Sequence, residues 1–143
     1  MGALAESPAP PSAVKPARVV LVDDSAAYAE SWRAVLKGRY GDKITFESYQ
    51  DPLKAIPRFG PEIDLLLLDL EMPVLDGRKL AALAKERGVA PRRIVILSAH
   101  DADELHALFP GGSCLAVVNK TEPQQQNGFL MILDSIVKRQ DAR

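Results

Sequence analysis

Four short apolar runs punctuate the chain, at 19–22, 65–68, 94–97 and 115–118. Each is four residues long and unbroken, and polar residues come directly after it. This is the pattern of a strand buried on both faces of a parallel sheet. A fifth segment, 44–49, alternates apolar and polar residues and reads as an edge strand. Between these runs lie stretches of helical spacing, roughly 25–38, 51–58, 77–87, 102–108 and 127–140. The first carries Tyr28, Trp32, Val35 and Leu36 as its apolar face, with Trp32 read as core. The third carries Leu80 and Leu83 among alanines. The last carries Phe129, Ile132, Leu133, Ile136 and Val137, an i, i+3, i+4 stripe for one buried face. Pro57 falls late in the second, which predicts a short or distorted helix. Five strands alternating with five helices predict an α/β fold: a doubly wound five-stranded parallel sheet with right-handed crossovers.

Residues 1–16 are rich in Ala, Pro and Ser and cannot bury enough apolar surface to offset their ordering entropy. They read as a flexible leader, and one folded domain is expected over 17–143 with no separate output domain. The 18 basic and 19 acidic side chains nearly cancel, which argues against a dedicated nucleic-acid surface. Arg92 and Arg93, a tight basic pair, read as a solvated loop. The single cysteine, Cys114, excludes an internal disulfide and fits a reducing compartment, as a small buried residue. No apolar run approaches the ~18 residues of a membrane span. Glu6 stands where a myristoylation signal needs Ser or Thr, and no secretory signal is present. A cytoplasmic protein with no membrane contact is expected.

The polar residues at the carboxyl end of each buried run are more informative. Asp23 and Asp24 come after the first, Asp69 after the second, Ser98 after the third, and Asn119 with Lys120 after the fourth. Each has an ordinary reading alone: Asp24 or Ser25 as a helix N-cap, Ser98 as a turn residue, Lys120 as a solvated lysine. Together they fall on the rim where open α/β sheets bind ligands, at the carboxyl ends of the strands. Three carboxylates brought together repel by roughly 4 kcal/mol per pair at 4 Å and an effective dielectric near 20. Only Lys120 offsets this, and a divalent cation would do so more fully. All-oxygen ligation favours Mg²⁺ over zinc. With a metal in place, an Asp carboxylate can attack phosphorus and form an aspartyl-phosphate, with Lys120 and Ser98 meeting the equatorial oxygens.

These residues resemble the response-regulator receiver family, as in the single-domain chemotaxis regulator. The acidic pair is Asp23-Asp24. The acceptor stretch Asp69-Leu70-Glu71-Met72-Pro73-Val74-Leu75-Asp76-Gly77 is similar to the family's D-x-x-M-P-x-x-D/G-G pattern. Ser98-Ala99 matches the hydroxyl position and Asn119-Lys120 the lysine position. Asp24, Asp69, Ser98 and Lys120 are separated by 45, 29 and 22 positions. The resemblance covers roughly residues 17–140 and implies the flavodoxin-like receiver fold. It implies Asp69 as phosphoacceptor, Asp24 as direct metal ligand, Asp23 as holder of a metal-bound water and Glu71 as donor of a backbone carbonyl to Mg²⁺. Glu71 and His100 match positions that tune self-dephosphorylation, and Ser98 a switch position.

Two departures bear on output. Val117 stands where the family usually has Tyr or Phe, three residues before the lysine, and Thr121 replaces the common proline. A cis bond in that loop is therefore not expected. The implied partners are a histidine kinase or histidine phosphotransfer protein and a downstream protein target, with a monomer or weak dimer expected. The chain is then a signalling domain that promotes only its own phosphorylation and dephosphorylation. The alternative is an interaction module of the same fold that does not switch, for which Val117 is the main support. A small-molecule phosphatase is disfavoured, because the haloacid-dehalogenase-type motif needs a second Asp where Glu71 stands. The Ala, Arg and Pro usage points to a bacterium of high-GC genome.

Overall fold

In a computed structural model that describes residues 15–73, 75–99, 112 and 114–141, the chain forms strands β1 (Ala17–Val22), β2 (Ile44–Tyr49), β3 (Leu65–Asp69), β4 (Ile94–Ser98) and β5 (Ala116–Asn119). All pair in parallel in the order β2-β1-β3-β4-β5. The chain leaves β1 for the edge at β2, then crosses back to β3. The reversal opens a crevice above the carboxyl ends of β1 and β3.

Helices α1 (Ala26–Tyr40), α2 (Pro52–Ala55), α3 (Gly77–Glu86) and α4 (Pro123–Asp141) cover both faces. Alternate residues of the same strand face opposite layers. Val19, Leu21, Leu65 and Leu67 pack under α1 and α4 against Trp32, Leu36, Phe129 and Leu133. Val20, Val22, Leu66, Leu68 and Ile96 pack under α2 and α3 against Ala55, Leu80, Ala81 and Ala84. This two-sided burial makes the runs continuously apolar, and the five-stranded parallel sheet matches the expected architecture. The edge strand β2 alternates because one side of it meets solvent.

Several details differ from expectation. The fourth expected helix, 102–108, and residues 1–14 of the leader lie outside the described residues. β5 begins at Ala116, and Leu115 is exposed, because β5 is the other edge of the sheet. Val35 is also exposed: it flanks the α1 stripe, and Leu36 fills the core. α4 starts at Pro123, earlier than its apolar stripe suggests, since proline is tolerated in a first helical turn. α2 is a single turn followed by a 3₁₀ turn over Ile56–Arg58, as Pro57 requires. Arg93 is not a solvated loop residue: its guanidinium donates to the carbonyls of Pro61 and Ile63 at 3.2 and 3.1 Å. Cys114 is half-buried, its Sγ 3.6 Å from the Ala116 carbonyl. No helix among the described residues is long and apolar enough to cross a membrane.

Local chemistry sets the helix starts that flank the crevice. Ser25 Oγ accepts from the Tyr28 N–H at 3.1 Å, and Asp76 Oδ1 accepts from the Lys79 N–H at 3.0 Å. Gly77 is required for contact: a Cβ there would lie 2.8 Å from both the Asp69 carbonyl oxygen and Leu70 Cα. Both are backbone atoms, so the chain after Asp69 would have to move. Gly77→Ala is expected to destabilise the domain by about 1–3 kcal/mol in urea unfolding. An unchanged midpoint would show that this loop yields freely.

Candidate functional site

The crevice is built from the ends of four strands. Backbone hydrogen bonds carry the sheet one residue past its formal ends. The Asp23 N–H donates to the Tyr49 carbonyl at 3.0 Å, the Leu70 N–H to Leu97 at 2.8 Å, and the Lys120 N–H to Ser98 at 2.7 Å. These ties fix where Asp23, Asp69 and Lys120 emerge.

Asp23, Asp69 and Ser98 are buried, whereas Asp24 is exposed. One carboxylate oxygen from each of Asp23, Asp24 and Asp69 lies within 4.8 Å of the others. At that separation each pair of charges repels by roughly 3–4 kcal/mol for an effective dielectric near 20. Lys120 answers part of this. Its Nζ lies 2.7 Å from Asp23 Oδ2 and 3.9 Å from Asp69 Oδ2. Asp23 Oδ1 also accepts from the Ser25 N–H at 2.9 Å. Asp23 is thus closely compensated and Asp69 is not. Burial, with the Asp23 charge beside it, pushes the Asp69 carboxyl up to about 7 despite the opposing pull of Lys120. For Lys120, burial works against the ammonium, but Asp23 and Asp69 outweigh it and hold its pKa above the usual value.

Three clustered carboxylates, one of them open to solvent, form an all-oxygen donor set. This suits a hard divalent cation that keeps part of its water shell. The residual negative charge around Asp69 is what such a cation would neutralise.

Ser98 does not face an open site. Its Oγ donates to Glu71 Oε2 at 2.6 Å, and the Ala99 N–H donates to Glu71 Oε1 at 3.3 Å. The Glu71 N–H in turn donates to Asp69 Oδ1 at 3.3 Å. Glu71 therefore touches Asp69 through its backbone and grips the end of β4 through its side chain. Val117 is half-buried against the core layer under α2 and α3. Asn119 Oδ1 accepts from both the N–H and the Oγ1 of Thr121, at 2.8 and 2.7 Å. That shapes the loop after Lys120, and no cis peptide occurs among the described residues. His100 lies outside the described residues.

One member of the site was not found from sequence. The ring of Tyr28 lies against Lys120, with Nζ 4.3 Å from the ring centroid. The available signal was its position one helical turn beyond Asp24, which brings it to the end of α1 nearest the acidic pair.

The receiver-domain family profile (response regulator receiver domain) matches residues 19–125. The chain is 34% identical over 109 residues to protein-glutamate methylesterase/protein-glutamine glutaminase 5 of Myxococcus xanthus, covering 75% of this chain and 31% of that protein. It is 36% identical over 92 residues to protein-glutamate methylesterase/protein-glutamine glutaminase 1 of Paramagnetospirillum magneticum, covering 64% and 23%. It thus spans less than a third of these curated relatives, and their enzymatic names describe those longer proteins. Among solved structures, the Francisella response regulator 1452 receiver domain superposes with a TM-score of 0.68 at 19% identity, covering 85% of this chain and 97% of that one. Response regulator TrrA from Thermotoga maritima, solved in complex with Mg²⁺-BeF, superposes at 0.64 and 19% identity, covering 83% and 97%. Sequence match, sheet order and acidic crevice agree: the chain belongs to the response-regulator receiver family of two-component signalling.

Proposed function

We propose that the domain accepts a phosphoryl group on Asp69 from a histidine kinase or histidine phosphotransfer protein, and that it acts in the cytoplasm. An Asp69 carboxylate oxygen forms the new O–P bond while the donor's P–N bond breaks and its electron pair returns to the imidazole. The observation that carries this reading is a buried, under-compensated Asp69 at the sheet's switch point, with Lys120 Nζ 3.9 Å away. Lys120 meets one phosphoryl oxygen and Ser98 donates to another. Asp24, Asp69 and the Glu71 carbonyl would hold Mg²⁺, with Asp23 supporting the site beside them. When bound, the cation neutralises charge on the transferring group. Output is by protein–protein contact or by onward transfer to another histidine. The test is intact mass after incubation with acetyl phosphate: a gain of one phosphoryl group that needs Mg²⁺ and Asp69.

In this reading Glu71 opposes the phosphorylated state, because Ser98 must leave its 2.6 Å bond to the Glu71 carboxylate before it can donate to a phosphoryl oxygen. Glu71→Ala is expected to tighten binding of the phosphoryl mimic beryllofluoride by roughly 10- to 150-fold, the range of a released charge-assisted hydrogen bond of about 1.5–3 kcal/mol. Calorimetric titration checks it. Weaker binding would mean that Glu71 holds Ser98 in its productive place.

A second reading, an interaction module indifferent to phosphorylation, is favoured by Val117 at the position of the usual aromatic. It requires equal partner affinity with and without beryllofluoride.

A further inference from the structure

Lys120 has a third neighbour that the acceptor chemistry does not explain. Its Nζ, 2.7 Å from Asp23 Oδ2, also sits 4.3 Å from the centroid of the Tyr28 ring. The Lys120 side chain is 18% exposed, so little water competes for the ammonium. Under those conditions the negative face of an aromatic ring attracts a cation most strongly. The ring is itself held firmly. Ser25 caps the helix at the Tyr28 N–H. Tyr28 meets Trp32 edge to face at 6.4 Å, and Trp32 meets Phe129 of α4 edge to face at 4.6 Å. Trp32 and Phe129 are buried core.

The tyrosine hydroxyl gives no account of the residue. It is buried and makes no hydrogen bond among the described residues, although the side chains of Trp32 and Gln126 lie beside it. An orphaned buried hydroxyl is destabilising. What Tyr28 contributes at this position is its ring face.

We propose that Tyr28 is a positioning residue for phosphoryl acceptance: its ring holds the Lys120 ammonium between Asp23 and Asp69, ready to meet a phosphoryl oxygen. A four-carbon stem tipped by a point charge has many rotamers. The ring restricts them further than the two carboxylates do alone. This role rests on Asp69 being the acceptor.

The test compares wild type, Tyr28→Phe and Tyr28→Leu. Two quantities are read: the NMR shift of the Lys120 ε-methylene protons, assigned with Lys120→Met, and the rate of phosphoryl uptake from acetyl phosphate across donor concentrations. A lysine lying over a ring has its ε protons moved upfield. The upfield shift is expected in wild type and Tyr28→Phe and is lost in Tyr28→Leu. The maximal uptake rate is expected to fall roughly 3- to 10-fold in Tyr28→Leu and to be restored by Tyr28→Phe, which keeps the ring. The dependence on donor concentration should hardly move.

Tyr28→Leu with wild-type rate and shift overturns the proposal. So does Tyr28→Phe failing as badly as Tyr28→Leu, since the hydroxyl would then be the active part. If Tyr28→Leu does not fold, the wild type and Tyr28→Phe decide: ε protons at ordinary positions in both overturn the contact. A wild-type protein that takes up no phosphoryl group overturns the acceptor reading, and this role with it. The outcomes named before it overturn the Tyr28 role alone.

Discussion

Asp69→Asn will gain no mass from acetyl phosphate and Mg²⁺, while the wild type gains one phosphoryl group. The amide cannot act as the nucleophile, and Asp23, the other buried carboxylate beside Lys120, is already engaged by that ammonium at 2.7 Å and by the Ser25 N–H at 2.9 Å. The same substitution separates chemistry from stability. In the metal-free domain the Asp69 carboxyl is pushed up to about 7, above its unfolded value near 4. The folded state therefore binds an extra proton between those values. The stability that the protonated Asp69 carboxyl contributes is fully present below about pH 4 and is lost as pH rises through about 7. Asn carries no such liability. Asp69→Asn is expected to be more stable than wild type by about 2–4 kcal/mol at pH 8 in EDTA, with the gain fading toward pH 4. Urea unfolding at the two pH values measures it. A gain independent of pH would show that Asp69 is not under electrostatic stress. Phosphoryl uptake by the mutant would show that the acceptor lies elsewhere.

Lys120→Ala should produce the opposite response. Its ammonium is 2.7 Å from Asp23, whose side chain is wholly buried. Removing one partner of a buried pair leaves the other charge uncompensated, a loss of about 3–5 kcal/mol. In EDTA the variant should be severely destabilised and show little or no phosphoryl uptake. With excess Mg²⁺ much of the stability should return, because a cation that binds only the folded state shifts the equilibrium by mass action. Uptake should stay low, since the cation does not replace the lysine's contact with the transferring group. Urea midpoints in EDTA and in Mg²⁺ separate the two effects. Equal losses in both media would sink the idea that Asp23, Asp24 and Asp69 share a cation.

The strands were legible because burial on both faces leaves little room for polar residues, and the runs at 65–68 and 94–97 appear as β3 and β4 within a residue. The site's members were legible for a related reason: a charged or hydroxyl residue directly after such a run must sit at a sheet end. Ser25 and Pro57 announced a cap and a break through local chemistry alone. What escaped were contacts between elements distant in sequence. The Glu71–Ser98 bond joins residues 27 apart, and Lys120–Asp23 joins residues 97 apart. Both carboxylate and cation were predicted as site members, but the partner each would choose was not. Tyr28 read as core because its spacing matches Trp32 and Leu36, and spacing does not distinguish a ring facing the core from one facing a cation. Arg93 likewise looked like a surface charge until the loop carbonyls of Pro61 and Ile63 came within its reach.

The three amides that extend the sheet past its strand ends have a consequence for tempo. Asp23, Leu70 and Lys120 are held through their backbones by Tyr49, Leu97 and Ser98, so the floor of the crevice resists remodelling. The cheapest responses to a new anion are then rotations about side-chain bonds, with the Ser98 hydroxyl, the Glu71 carboxylate and the Lys120 ammonium exchanging partners. Rotamer changes are quick beside collective backbone rearrangements. A domain built this way would register the arrival of its signal almost at once and leave the slow step to whatever must dock upon it.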